Sequence, residues 1–359
     1  MKKEVFYPPV GIAHVTNKLT DLILYKYRNQ KKIIINTSFQ PNSSPHLGTI
    51  TTIMCAFALA KKIKDELKIE TEVQCDELEN SPAETITYNN EVYYKDQKHS
   101  FIGDKTRESI NMKCFYEILT NISSISEIPF TVRTYLEFQK NRYVRRALIN
   151  ILKEKDFFKT LLFPSDTDLH IRTICPTCGL GKKNIDTLIE THDNYTINFS
   201  GYCPIHGKYE IEVNEYNNEY VDINTQFRDL TKGVAMLMDD KNNNTLTIML
   251  DGGDWSGVWA QRMHVEGLIK LGFKQFPIRF FAPVILDWSG AKFSKSLYLK
   301  NDAYRNINSA FVNYNNFINF YGEKGMLRLW DEVQNWIDDP KKFFRNYSID
   351  YFEDVMKGK

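Results

Sequence analysis

The chain has 359 residues, 42% of them hydrophobic and 25% charged, a length and balance that specify a folded protein with ample core and exclude a disordered chain, a fibre or a small stapled scaffold. Lys and Arg number 46 against 45 Asp and Glu, a formal net charge of +1, so any contact with nucleic acid has to be regional rather than driven by a global positive field.

At the amino terminus two lysines precede no apolar stretch, so no secretion signal is read there. Lys32-Ile33-Ile34-Ile35-Asn36 is a β-branched run that predicts a buried strand, and polar turn residues follow over 37–45. From Gly48 onward Ile50, Ile53, Met54 and Phe57 recur at helical spacing. The apolar run within this helix, 53–60, is too short to cross a bilayer, and no membrane span is expected. Residues 71–75 read as a second strand, which completes a βαβ unit and suggests the first half of a nucleotide-binding parallel sheet.

Residues 108–158 read as mainly helical. Within them Lys140, Arg142, Arg145, Arg146, Lys153 and Lys155 stand against Glu154, a candidate polyanion contact whose plain alternative is a solvated helix face. The stretch 169–221 reads as a small β-rich insert in which Tyr209, Ile211 and Val213 alternate with Glu210 and Glu212. The asparagines at 242–244 read as a hairpin turn, and 246–250 as a buried strand ending at Asp251-Gly252-Gly253-Asp254. A helix-like segment over 258–271, a strand over 279–285 and a Gly- and Ser-containing loop over 287–300 follow, and the spacing after that predicts a few helices.

Cys175-Pro-Thr-Cys178-Gly179 and Cys203-Pro-Ile-His206-Gly207 are matching knuckles, each with its ligands three positions apart and a glycine after the second. Two tight turns supplying two ligands each make the tetrahedral set that zinc prefers, and the glycines allow the positive φ such turns require. Four protein ligands leave no open position for water, which predicts structural Zn²⁺. Cys55, Cys75 and Cys114 fall in apolar helix or strand contexts and read as packing. Six cysteines used in this way point to a reducing compartment, and the protein is read as cytoplasmic.

Two loops suit phosphates. Pro41 to Thr49, with His46 and Gly48, lies between a strand and a helix N-terminus, where free backbone N–H groups and the helix dipole favour an anion. Lys292-Phe293-Ser294-Lys295-Ser296 places two ammonium groups in a loop near Gly290. Together and in this order, His46-Leu47-Gly48-Thr49 and Lys292 to Ser296 resemble the two signatures of the class I aminoacyl-tRNA synthetases, HIGH and KMSKS. Gly252-Gly253-Asp254 resembles the intervening GxD element, and the insert together with Trp-Ser-Gly-Ala-Lys-Phe-Ser-Lys-Ser is most similar to the class I lysyl-tRNA synthetases. The resemblance covers roughly residues 30–300; Thr49 replaces the last histidine of the first signature.

That resemblance implies an α/β fold: a Rossmann-like HUP nucleotide-binding domain split into residues 1–105 and 222–300, with a helical insertion over 106–168, a zinc-ribbon-like insertion over 169–221 and a short helical region over 301–359. It implies ATP with Mg²⁺, and activation of an amino acid, lysine being a candidate, to an aminoacyl-adenylate. Lys292, Lys295 and His46 would act on the phosphates, Gly48, Thr49, Gly252, Asp254, Ser294 and Ser296 would hold ATP, and Asp76, Glu77 and Trp255 are candidates for the amino-acid pocket. A sizeable anticodon-binding domain is expected after the second signature, and 301–359 offers only a remnant, so the acceptor is read as tRNA, a shortened RNA or another molecule. Three readings stay open: a synthetase-like ligase, a stand-alone adenylating ligase independent of tRNA, and an inactive zinc-bearing RNA-binding paralogue. Oligomeric state is not legible.

Overall fold

The computed structural model describes residues 5–96, 110–165, 171–182, 188–191, 193, 195–294 and 307–358. Five parallel strands form the central sheet: β1 (Lys32–Phe39), β2 (Glu70–Glu77), β3 (Phe130–Thr134), β4 (Thr245–Gly252) and β5 (Ile278–Ala282), in the spatial order β5-β4-β1-β2-β3. This is the order of a doubly wound nucleotide-binding sheet, in which the chain runs outward from β1 to one edge and then restarts beside it. The expected α/β class and parallel sheet are therefore present.

Helix α1 (Leu47–Leu67) carries Ile50, Ile53, Met54 and Phe57 into the core, all 1% exposed or less. It buries more than one face because the sheet lies on one side and helix α4 (Tyr314–Asp338) packs on another. The C-terminal helices thus share one hydrophobic core with the sheet: Leu329, Val333, Trp336 and Phe352 join Ile33, Ile35 and Val73. Trp336 stacks on Tyr347 with ring centroids 4.5 Å apart, and Tyr347 pairs with Ile285 through a short parallel bridge, fixing the end of the chain to the segment after β5.

Some stretches differ from the sequence reading. Residues 110–134, assigned there to a helical insertion, supply helix α2 (Ile110–Ser126), which packs on α1, and the sheet's edge strand β3. Three of the five residues are Thr or Arg, and the run is too short to announce a strand; the pairing of Val73 to Glu77 with 130–134 defines it. The hairpin Pro82–Tyr88 and Glu91–Asp96 leaves the sheet and pairs with Leu180–Lys182 of the cysteine-bearing insert. The asparagines at 242–244 close helix α3 (Thr225–Asn243) instead of turning a hairpin: Asn244 adopts the left-handed conformation at φ 55° that asparagine tolerates, and a parallel strand follows.

A second core on the other side of the sheet unites Arg142–Lys153 and Lys155–Leu162 with α3 and the insert strands Ile197–Cys203 and Gly207–Val213. Ile211 and Val213 are buried there and Glu210 and Glu212 exposed, as the alternation predicts. Of the basic stretch only Arg145 is engaged inside this unit; Lys140, Arg142, Arg146, Lys153 and Lys155 are exposed. Arg145 is 2% exposed and donates to the carbonyls of Gln139, Asn214 and Glu219, while Arg146 pairs with Glu215 at 2.5 Å. No helix among the described residues is long and apolar enough to cross a membrane.

Candidate functional site

In a doubly wound sheet the crevice lies beyond the carboxyl ends of the strands, where the two halves diverge, here between β1 and β4. A cavity of ≈ 380 Å³ opens at that place. Its walls bring together 37–49 from the end of β1 and the start of α1, Asp251 to Trp255 from the end of β4, and 283–285 with 292–294 beyond β5. The two loops singled out from the sequence therefore face one another across a single space, although 243 residues separate Thr49 from Lys292 in the chain.

His46 is the N-cap of α1. Its extended backbone (φ −97°, ψ 170°) lets Nδ1 accept from the Gly48 N–H at 3.1 Å, so the neutral ring carries its proton on Nε2, which lies 3.4 Å from Thr49 Oγ1. A side chain at Gly48 would meet the imidazole at 3.1 Å and press on the ring. Thr49, in the place of the signature's last histidine, thus partners the first. The ring also meets Phe293 edge to face, centroids 5.6 Å apart, and Phe293 is 2% exposed. Phe293, to which no motif assigned a role, is the hydrophobic pin that joins the second loop to the first.

The second loop is held by a compact turn. Asp287 Oδ1 accepts from the N–H groups of Ser289 and Ala291 and from the Ser289 hydroxyl, Gly290 takes φ +82°, and Phe293 N–H donates to the Ile285 carbonyl at 2.8 Å. The turn leaves Lys292 Nζ 2.5 Å from Asp254 Oδ2 across the cavity mouth. Lys292 and Asp254 are thus partners of each other here. A Cβ at Gly253 would lie 2.8 Å from the Ala282 carbonyl, so that glycine is required by close approach, whereas one at Gly252 would meet only the movable Asp254 Oδ1 at 2.7 Å. Ser294 also lines the cavity. Lys295 and Ser296 lie outside the described residues.

Of the candidates for the amino-acid pocket, Trp255 lines the cavity and Asp76 and Glu77 do not. Asp76 is 3% exposed and held by Arg133 through bonds of 2.8 and 3.1 Å, by Asn36 at 3.2 Å and by Lys232 at 3.8 Å. Burial alone would raise its pKa, but the charges of Arg133 and Lys232 outweigh it and hold the carboxyl below the usual value. Because the folded-state pKa is lowered, the stabilisation is present above the unfolded value of about 3.9 and is lost as pH falls through the folded one. Asp76→Asn is expected to destabilise the fold by about 3–5 kcal/mol, since Arg133 and Lys232 lose their counter-charge; denaturant unfolding at neutral pH measures it. Glu77 accepts from the Tyr116 hydroxyl at 3.0 Å.

The cavity also holds groups that no sequence motif marked: Thr225, Arg228 and Asp229 from the first turns of α3, and Asp251 at the end of β4. Arg279, 7% exposed at its side chain, lies between Asp251 at 2.6 Å and Asp229 at 3.4 Å and fixes both. Only the topology, which sets the start of α3 beside the end of β4, gathers these residues.

The four knuckle residues converge as expected. Cys175, Cys178, Cys203 and His206 present donor atoms all within 4.8 Å of one another. A tetrahedral zinc with bonds of about 2.3 Å to sulfur and about 2.05 Å to nitrogen requires edges of about 3.8 Å for S···S and about 3.6 Å for S···N. The observed Cys178–Cys203 sulfur separation is 3.6 Å, and the His206 Nδ1 distances to Cys175 and Cys203 are both 3.6 Å. Gly179 and Gly207 take φ +73° and +81°. The donor set thus fits zinc, with all four positions supplied by the chain. Around it lies a small core of Tyr93, Leu180, Cys175 and Cys203.

No protein-family model matches the chain, and no curated protein matches it in sequence. Solved structures are similar in fold. One, described as an arginyl-tRNA synthetase from Campylobacter jejuni, is 12% identical with a TM-score of 0.40, covering 91% of this chain and 67% of that one. A glutamate tRNA ligase from Elizabethkingia meningosepticum and a glutamate-tRNA synthetase from Elizabethkingia anophelis are each 13% identical with TM-scores of 0.35, covering 75% of this chain and 53% and 54% of theirs. This chain therefore spans about two thirds of the first structure and about half of the other two. At these identities and TM-scores the likeness assigns no activity.

Proposed function

We propose that the protein is an ATP-dependent ligase of the class I aminoacyl-tRNA synthetase type, which activates an amino acid as its adenylate and passes it to tRNA or another acceptor. The observation that supports this most is the meeting of His46 and Phe293, which sets the helix-start turn and the lysine loop against each other over one cavity at the sheet's switch point. In the step proposed, a carboxylate oxygen of the amino acid forms a bond to the α-phosphorus of ATP. The bond from that phosphorus to the bridging oxygen breaks, and pyrophosphate leaves with the electron pair. Charge builds on phosphate oxygens, so positioned donors carry the catalysis and no protein nucleophile is needed.

His46 Nε2–H and the amides at the start of α1 would donate to the phosphates. Lys292, released from Asp254, and Lys295 would follow the charge onto the leaving group, and Asp254 would then accept from the ribose. Gly252 and Gly253 keep that wall low enough for a nucleoside to approach. Mg²⁺ enters as part of the substrate, bound to the triphosphate. The resemblance suggests lysine as the amino acid, but Asp76 and Glu77, the acids expected to select it, stand outside the cavity wall, so no lysine site is proposed. A second reading, adenylation with an acceptor other than tRNA, is favoured by the internal engagement of Arg145, which removes one charge from the expected polyanion face.

Pyrophosphate exchange into ATP, measured across single amino acids with and without total tRNA, tests both. Exchange with one amino acid supports activation. Charged RNA then selects the first reading, and exchange without charged RNA the second. No exchange under any condition, with RNA binding intact, would replace both by a binding protein.

A further inference from the structure

Among the described residues, the cavity wall carries one charged side chain without a counter-ion. Asp229 and Asp251 are paired with Arg279, and Asp254 with Lys292. Arg228 has no such partner. It is 8% exposed, lines the cavity, and its guanidinium makes one hydrogen bond, from Nη2 to Thr225 Oγ1 at 3.3 Å. A guanidinium offers five N–H donors in a planar fork, so most of this one's capacity is unmet. Its stem is buried while the unbonded nitrogens stay accessible from the cavity, so the charge is held in place and open to an anionic ligand on that side. The cavity side is where an anionic partner can reach it.

The fork matches a carboxylate, which accepts two parallel N–H bonds. The phosphates are assigned to the other wall, at His46 and Lys292. The attacking carboxylate loses its charge when it forms the adenylate, so a fixed cation holding it would stabilise the ground state more than the transition state. A carboxylate that keeps its charge throughout suits Arg228 better. We propose that Arg228 is the specificity-determining residue for an anionic side chain, so that the amino acid activated is a dicarboxylic one. Asp229 and Asp251, beside it in the wall, suit the α-ammonium of the same molecule, and a cationic side chain at this place would face a like charge.

This inference rests on the ligase reading, and the exchange assay separates the two. With wild-type protein, aspartate, glutamate or a homologous dicarboxylic acid is expected to give the highest kcat/KM. The corresponding amide should fall by about a hundredfold or more, because it leaves the guanidinium unpaired, and lysine should give no exchange. Arg228→Lys, which keeps the charge but loses the fork, is expected to lower kcat/KM for the dicarboxylic substrate mainly through KM, and Arg228→Gln to lower it further. A neutral or cationic amino acid as best substrate overturns the inference and leaves the ligase reading standing, as does wild-type exchange by both variants. If no amino acid supports exchange, the ligase reading fails and thermal unfolding decides the inference. Protection of wild type by aspartate or glutamate, absent in Arg228→Gln, upholds it, and no protection overturns it. Should the glutamine variant not fold, the wild-type substrate panel decides alone.

Discussion

His46→Ala is expected to lower pyrophosphate exchange by about a hundredfold or more, the usual consequence of removing one positioned donor to a developing oxyanion, and also to cost about 1 kcal/mol of stability through the lost helix cap. The two effects separate because the ring has two nitrogens with different duties. Nδ1 accepts from the Gly48 N–H and starts α1, while Nε2 carries the proton that would reach a phosphate. His46→Asn is the discriminating variant. Asparagine is a strong N-cap, so its side-chain oxygen can take over the acceptor role and restore the unfolding midpoint, but it cannot supply the imidazole's Nε2–H or its edge-to-face contact with Phe293. Stability recovered with exchange still low supports the assignment. Exchange recovered along with stability would reduce His46 to a structural cap.

Cys203→Ser is expected to release zinc and unfold the corner of the molecule built around it. The knuckles themselves have little else to hold them: the small core around them consists of Tyr93, Leu180 and two of the ligands, with Ile86 and Tyr209 against it, while the strands 197–203 and 207–213 are also anchored in the second core. Structural zinc supplies roughly 10–16 kcal/mol of apparent binding energy in small metal-dependent folds, far beyond what four side chains bury. Because Leu180 to Lys182 pairs with Tyr93 to Lys95, the hairpin after β2 should loosen together with the knuckles. Metal analysis is predicted to give one zinc per wild-type chain and none in the variant, and limited proteolysis to cut first within 82–96, 175–182 and 203–207. Metal-free protein with unchanged protease resistance there would contradict a structural role.

The parts of this architecture that showed in the sequence are those whose signal is local. Ile33 to Ile35 announce a strand by β-branching, Ile50 to Phe57 a buried helix by period, and the doubled knuckle a metal site by ligand spacing. The turn at His46 and the loop at Lys292 showed through residue type and order. What stayed hidden depends on pairing between distant segments. Strand β3 is too short for its alternation of Phe130 and Val132 with Thr131 and Arg133 to stand out, and it is defined by the edge that β2 offers it. Phe293 reads as an ordinary apolar residue until the fold sets it against His46. Arg228 and Asp229 look like a solvated pair at the start of a helix, and only the placement of α3 beside β4 turns them inward. Asp76 failed as a pocket acid for the complementary reason: its partners Arg133 and Lys232 lie 57 and 156 positions away in sequence, and nothing near it announced them.

The claim on which the account turns is that the histidine turn and the lysine loop embrace one nucleotide. A crystal structure of the protein with a non-hydrolysable ATP analogue tests it most directly. The account predicts the triphosphate between His46 and the ammonium groups of Lys292 and Lys295, with the ribose against Asp254 and Lys292 freed from that carboxylate. Nucleotide density anywhere else, or an intact Lys292–Asp254 pair beside a bound nucleotide that touches neither loop, would contradict it.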